Sequence, residues 1–106
     1  VYSAGRKTYL DFEASFDVRL NGSVNSGIQF RSGLQSPSPA VLVGPQAEIG
    51  AGGKTGYGGL WWQGRSGEAG RVLQSVAPAV FEPLVKPNDY NRMTVRCVGK
   101  KVTITL

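Results

Sequence analysis

Histidine is absent from this chain. That absence removes Ser-His-Asp triads, Cys-His pairs and histidine zinc sites together. Cysteine occurs once, at Cys97, so no internal disulfide can form. No apolar run approaches the roughly 18 residues that a membrane-spanning helix requires, so no membrane span is expected. Acids are scarce, 7 Asp and Glu against 12 Lys and Arg, for a formal charge of +5. The excess does not form a nucleic-acid footprint. Arg19, Arg31, Lys54, Arg65, Arg71 and Lys86 are dispersed, and only Arg92, Arg96, Lys100 and Lys101 gather near one end. No nucleic-acid partner is expected. No secretory leader is legible in the polar opening of the chain, which by itself decides little about location.

What is present reads as β structure. The 106 residues suit one small domain or part of a larger one, and 15 Gly with 6 Pro supply many turns. Leu10, Phe12, Ala14, Phe16, Val18 and Leu20 alternate without a break against Asp11, Glu13, Ser15, Asp17 and Arg19. This predicts a long strand with one buried face. Asn21-Gly22 follows as a turn; with Ser23 it also spells a glycosylation sequon, though turn chemistry is the better reading. Ile28 and Phe30 share a face opposite Gln29 and Arg31, and residues 32–40, rich in Ser, Gly and Pro, read as a loop.

Two strands close the chain. One runs from Tyr90 to Val98 with Met93, Val95 and Cys97 inward, and Lys101 to Leu106 follows a Gly99-Lys100 hairpin turn. Cys97 then reads as a small buried residue and not a nucleophile. Residues 63–71 and 75–89 carry few regular signals, apart from the turn Lys86-Pro87-Asn88-Asp89. No amphipathic helix of ordinary length is legible, so the fold class is all-β, a sandwich of two antiparallel sheets.

The stretch Val43-Gly44-Pro45-Gln46-Ala47-Glu48-Ile49-Gly50 stands out because Glu48 has no acidic neighbour for many positions on either side. At strand period, Gln46 and Glu48 point to one face while Ala47 and Ile49 point to the other. If this strand neighbours 28–31, then Gln29, Arg31, Gln46 and Glu48 make one polar cluster. A surface ion pair between Arg31 and Glu48, worth little, is the plainer alternative.

Gly53-Lys54-Thr55 resembles the end of a phosphate loop. The match fails, because Glu48 occupies the first glycine position and no helical pattern follows. Tyr57-Gly58-Gly59-Leu60-Trp61-Trp62 sets aromatics beside glycines, which suits a sugar face as well as it suits core and edge packing.

Five ordered blocks carry a resemblance. They are Asn25-Ser26-Gly27-Ile28-Gln29-Phe30-Arg31, Gly44-x-Gln46-Ala47-Glu48-Ile49-Gly50, Gly58-Gly59-Leu60-Trp61, Lys86-Pro87-Asn88-Asp89-Tyr90-Asn91, and Val95-Arg96-Cys97-x-Gly99-Lys100-Lys101-Val102. Together the chain resembles the 3-keto-disaccharide hydrolase family over about residues 8–106, with Tyr90 where the family usually has Trp. The resemblance implies a concanavalin A-like jelly roll, here a single partial domain truncated at both ends. Another chain or segment would then complete the sandwich. It implies a carbohydrate substrate, a 3-keto-glycoside, cleaved by elimination and hydration, and a bacterial secreted or periplasmic location.

That chemistry needs a base at C2, an electrophile at the C3 oxygen and groups that hold hydroxyls. Glu48 is the candidate base and Arg31 the candidate stabiliser of enolate charge. Asn25, Gln29, Gln46, Tyr57, Trp61 and Arg65 are the candidate substrate-binding residues. The resemblance fixes no cofactor; a divalent metal at the ketone stays open, since the sequence offers too few ligands to place one. The competing class is a non-catalytic, lectin-like binding module, because this fold hosts both.

Overall fold

The computed structural model describes residues 9–22, 24–37, 40–50 and 54–106. Ser23, and with it the sequon, lies outside the described residues.

The first sheet is antiparallel and three-stranded, in the order β1 (Phe12–Val18), β7 (Asn91–Val98), β8 (Lys101–Thr105). Its pleat follows the sequence alternation. Met93, Val95 and Cys97 are almost wholly excluded from solvent, and Phe12, Phe16, Val18, Val102 and Ile104 pack around them. The outer face is polar and in register: Asp17 meets Arg92 at 2.9 Å, Glu13 meets Arg96 at 3.7 Å, and Ser15 meets Thr94 at 2.8 Å. Such exposed pairs add little stability each. β1 is shorter than its alternating pattern, since Leu10 precedes it and is 87% exposed. β7 and β8 turn at Gly99-Lys100 as expected, with Gly99 at φ +55°.

The second sheet is five-stranded and organised on β4 (Ala40–Ile49). β2 (Ser26–Gln29) pairs with the end of β4, β3 (Gly33–Pro37) with its start, and β5 (Leu60–Gln63) lies on its other side, followed by β6 (Arg71–Gln74). Residues 33–37 therefore form an edge strand where a loop is expected. Among the described residues no strand lies beyond β3, and an edge position tolerates the Pro that suggested a loop.

The same geometry explains Pro45 inside a central strand. Its carbonyl accepts the Phe30 amide at 3.2 Å, so its missing N–H faces the same side. There the chain bends between β2 and β3 at Arg31-Ser32, and the Phe30 carbonyl that a Pro45 N–H would have met accepts instead from Ser32 Oγ at 3.0 Å. Arg31 sits at φ +46°, outside the strand in which the alternation places it. The Asn21-Gly22 turn does not join a hairpin either; it carries the chain from one sheet to the other, because β1 pairs with β7 and β2 with β4.

The two sheets face each other across one core, in the architecture of a jelly-roll sandwich. Phe30, Ala47, Ile49 and Tyr57 supply the second sheet's share of it. Phe81, on the single helical turn α1 (Pro78–Phe81), closes one end. Cys97 is fully buried, and burial raises its thiol pKa, which fits an inert packing role. Met93 tests this core directly, because no part of it reaches solvent. Met93→Ala should cost about 2–5 kcal/mol in denaturant unfolding, whereas Asp17→Asn on the exposed face should leave the midpoint nearly unchanged.

Candidate functional site

The pleat of β4 decides which side chains meet. Ala47 and Ile49 are 0% and 2% exposed and point into the core, so Gln46 and Glu48 must project from the sheet's outer face. Register places Gln29 opposite Gln46 and Gly27 opposite Glu48. On the other side, Trp61 lies opposite Gln46. The backbone of Glu48 is locked as well: its N–H donates to Gly59 and its carbonyl accepts from Gly58, both at 2.9 Å.

Glu48 is 4% exposed, which is unusual for a carboxylate. Both oxygens are held by amides. Asn25 Nδ2 donates to Oε2 at 2.7 Å and Gln46 Nε2 donates to Oε1 at 2.6 Å. An ionised carboxylate only accepts hydrogen bonds, and this orients everything beyond it. With its NH2 turned to Glu48, Gln46 presents its carbonyl oxygen to Gln29, whose Nε2 donates at 3.3 Å. The row ends on Gln29 Oε1, which is buried and has no partner. All the donors point toward Glu48, and the far end is an acceptor.

Gly27 makes this row possible. A Cβ there would stand 2.5 Å from Cγ, Cδ and Nε2 of Gln46, so the Gln46 side chain crosses the space that any other residue would fill. Nothing in the sequence pattern singles out Gly27; only the register of β2 against β4 reveals it.

The structure brings Asn25, Gln29, Gln46 and Glu48 together, with Trp61 alongside, its ring against Gly70. It does not bring in Arg31. The positive φ at Arg31 turns its guanidinium to the other sheet, where it binds the carbonyls of Leu10 and Gly99 and lies 3.4 Å from Asp11. The expected Arg31–Glu48 pairing is overturned, because β2 ends at Gln29 and the backbone turns away at Arg31, two residues on.

Arg65 is also elsewhere. It is exposed, in a turn closed by its amide donating to Glu68 Oε2 at 3.1 Å. Tyr57 is 3% exposed and lies inside the sandwich, its ring 6.5 Å from that of Phe81. Its hydroxyl is buried without a partner, and burial raises its pKa. Trp62 projects to the side opposite Trp61, with the Arg71 guanidinium 5.4 Å above its ring. Among the described residues, no three His, Cys, Asp or Glu side chains converge on a point where a metal would sit.

An outward row of amides and one sequestered carboxylate beside a tryptophan is a surface suited to hydroxyl-bearing ligands. The comparison with protein families gives that surface a class. The model of the 3-keto-alpha-glucoside-1,2-lyase-like domain matches residues 2–106. The chain belongs to this family, and its function is carbohydrate-related. No curated protein and no solved structure matches it.

The row rests on one absent methyl group, which Gly27→Ala restores. The variant should displace the Gln46 amide from Glu48 and destabilise the fold by about 1–3 kcal/mol. Loss of the Gln46 side-chain NH2 shift from its position in the wild-type NMR spectrum is the direct check, with denaturant unfolding for the magnitude.

Proposed function

We propose that this domain cleaves 3-keto-glycosides by elimination followed by hydration, with Glu48 as the base. The supporting observation is a carboxylate 4% exposed, fixed at both oxygens by neutral amides and not by a cation, on the outer face beside Trp61. A carboxylate so held has a defined direction, which is what proton removal at a set position requires.

A ketone at C3 acidifies the hydrogen on C2. Glu48 takes that proton, and the bonding pair becomes the enolate across C2 and C3. The enolate pair then forms the C1–C2 double bond as the ketone re-forms. The C1–O bond breaks, and its pair leaves with the aglycone oxygen, which is protonated. Water adds at C1 in a later step, and the ring regains its hydroxyl. Asn25 and Gln46 each keep a second amide hydrogen for substrate oxygens. Trp61 offers a ring face to the sugar's C–H bonds. Arg31 has no part in this scheme, and no step passes through a metal.

A second reading is a sugar-binding module without turnover. The observation that favours it is the loss of Arg31 from the site: among the described residues, no ion pair sets a cation beside Glu48 to take up enolate charge. Glu48→Gln separates the two in the full-length protein. It keeps shape and hydrogen-bonding reach but cannot accept the proton. Turnover of a 3-keto-glycoside should fall by about 10²–10⁴ while sugar binding persists. Full activity in the variant would remove Glu48 from the base role, and a wild type that binds without turnover would establish the binding module.

A further inference from the structure

The outer face of the second sheet continues past the amide row. Gln29, Gln46, Trp61 and Val72 stand directly opposite one another on β2, β4, β5 and β6, so their side chains share that face. The adjacent pair, Trp62 and Arg71, meets on the other face, which fixes the parity of β6. Chemistry changes abruptly along the row. Gln29 and Gln46 are amides, whereas Trp61 is half-buried and Val72 is 43% exposed. Neither Trp61 nor Val72 packs against the core cluster, so their apolar surface faces outward beside the sequestered carboxylate.

The indole is held on the Val72 side. Gly70 lies just before β6, and a Cβ there would collide with Cζ2 and stand 2.5 Å from Cε2 of the Trp61 ring. The ring therefore leans over the β6 backbone, away from Gln46. The turn that carries Gly70 is itself fixed: the Arg65 amide donates to Glu68 Oε2 and the Ser66 amide to Gln35 Oε1 on β3, each at 3.1 Å. Trp61 and Glu48 are diagonal neighbours, about 7–8 Å apart at the backbone, and Val72 stands about 10 Å from Gln46. A ring joined through one oxygen to C1 of a sugar over the amides reaches Val72.

We propose that the Trp61–Val72 platform is the leaving-group subsite of the enzyme, taking an apolar aromatic aglycone in preference to a second sugar. The proposal rests on the reading of Glu48 as the base of a glycoside-cleaving enzyme. The sugar keeps its hydroxyls over Asn25 and Gln46, with its C–H bonds against the near part of the indole. The aglycone lies over the far part of the indole and the Val72 methyls, where a flat ring stacks and buries apolar area. A second sugar would set hydroxyls over Val72, which has no group to bind them.

The test compares turnover of p-tolyl, methyl and glucosyl 3-keto-glucosides by the full-length protein. Val72→Thr keeps the branched shape at an exposed strand position and replaces one methyl by a hydroxyl. Its preference in kcat/KM for p-tolyl over methyl should fall about fourfold from the wild-type value, the worth of one buried methylene-sized group. Taking the ratio within each protein cancels the easier departure of a phenolate and any general loss of activity. The glucosyl-to-methyl ratio should stay as in wild type. An unaltered p-tolyl ratio overturns the subsite and leaves the base role of Glu48 standing. A glucosyl ratio that falls as far as the p-tolyl ratio overturns the aromatic assignment. A wild type that turns over none of the three overturns the enzymatic reading, and the subsite with it.

Discussion

The pleat of β4 is the constraint on which the rest depends. Ala47 and Ile49 are buried in the same core as Met93, Val95 and Cys97, so the strand has no freedom to rotate or slip. A slip of one residue would drive Glu48 into that core and Ala47 out. Burying a carboxylate among Met, Val and Phe without partners is far costlier than any gain from re-pairing the strand. The hydrophobic side of β4 thus fixes the chemical side, and backbone hydrogen bonds with Gly58 and Gly59, just before β5, hold Glu48 at the same register.

Arg31 shows where that logic stops. Alternation along Ile28-Gln29-Phe30-Arg31 puts Arg31 with Gln29, and the rule fails at the second residue past the strand. At φ +46° the backbone is in a region that L-residues enter at a cost of about 1–2 kcal/mol. The guanidinium recovers this by satisfying the carbonyls of Leu10 and Gly99, while Asp11 accepts from the Gly99 amide at 2.9 Å. Arg31 therefore ties the bend of one sheet to the hairpin of the other. Its position is set by joining sheets and not by charge near Glu48.

Much of the fold is legible because burial writes a period of two. Phe12, Phe16 and Val18, Met93, Val95 and Cys97, and Val102 and Ile104 each alternate in sequence and each face inward. β3 and β6 are not legible in that way. Their side chains are largely exposed, Leu34, Val72 and Leu73 each by more than two-fifths, so no core imposes a pattern. At the site, Gln46 and Glu48 could be read from their own strand, and Gln29 from its own. Gly27 and the interior place of Tyr57 could not. Both depend on which strand lies opposite and on how a glycine-rich connection returns, and neither leaves a local mark in composition.

The direction of the amide row narrows what the outer face can receive. Glu48 is an acceptor, and the row it orients ends at Gln29 on a second, unpartnered acceptor. Phosphate and carboxylate groups bring further acceptors and negative charge, and Glu48 would repel them. A hydroxyl both donates and accepts, so its oxygen can meet an Asn25 or Gln46 amide hydrogen without bringing negative charge to Glu48. The chain's excess of positive charge does not reverse this. Arg92 and Arg96 are paired with Asp17 and Glu13 on the other sheet, and Arg31 is engaged at the hairpin. The face that carries Glu48 is thereby matched to neutral, hydroxyl-rich ligands, and the amides that orient the carboxylate are the same groups that would hold a sugar against it.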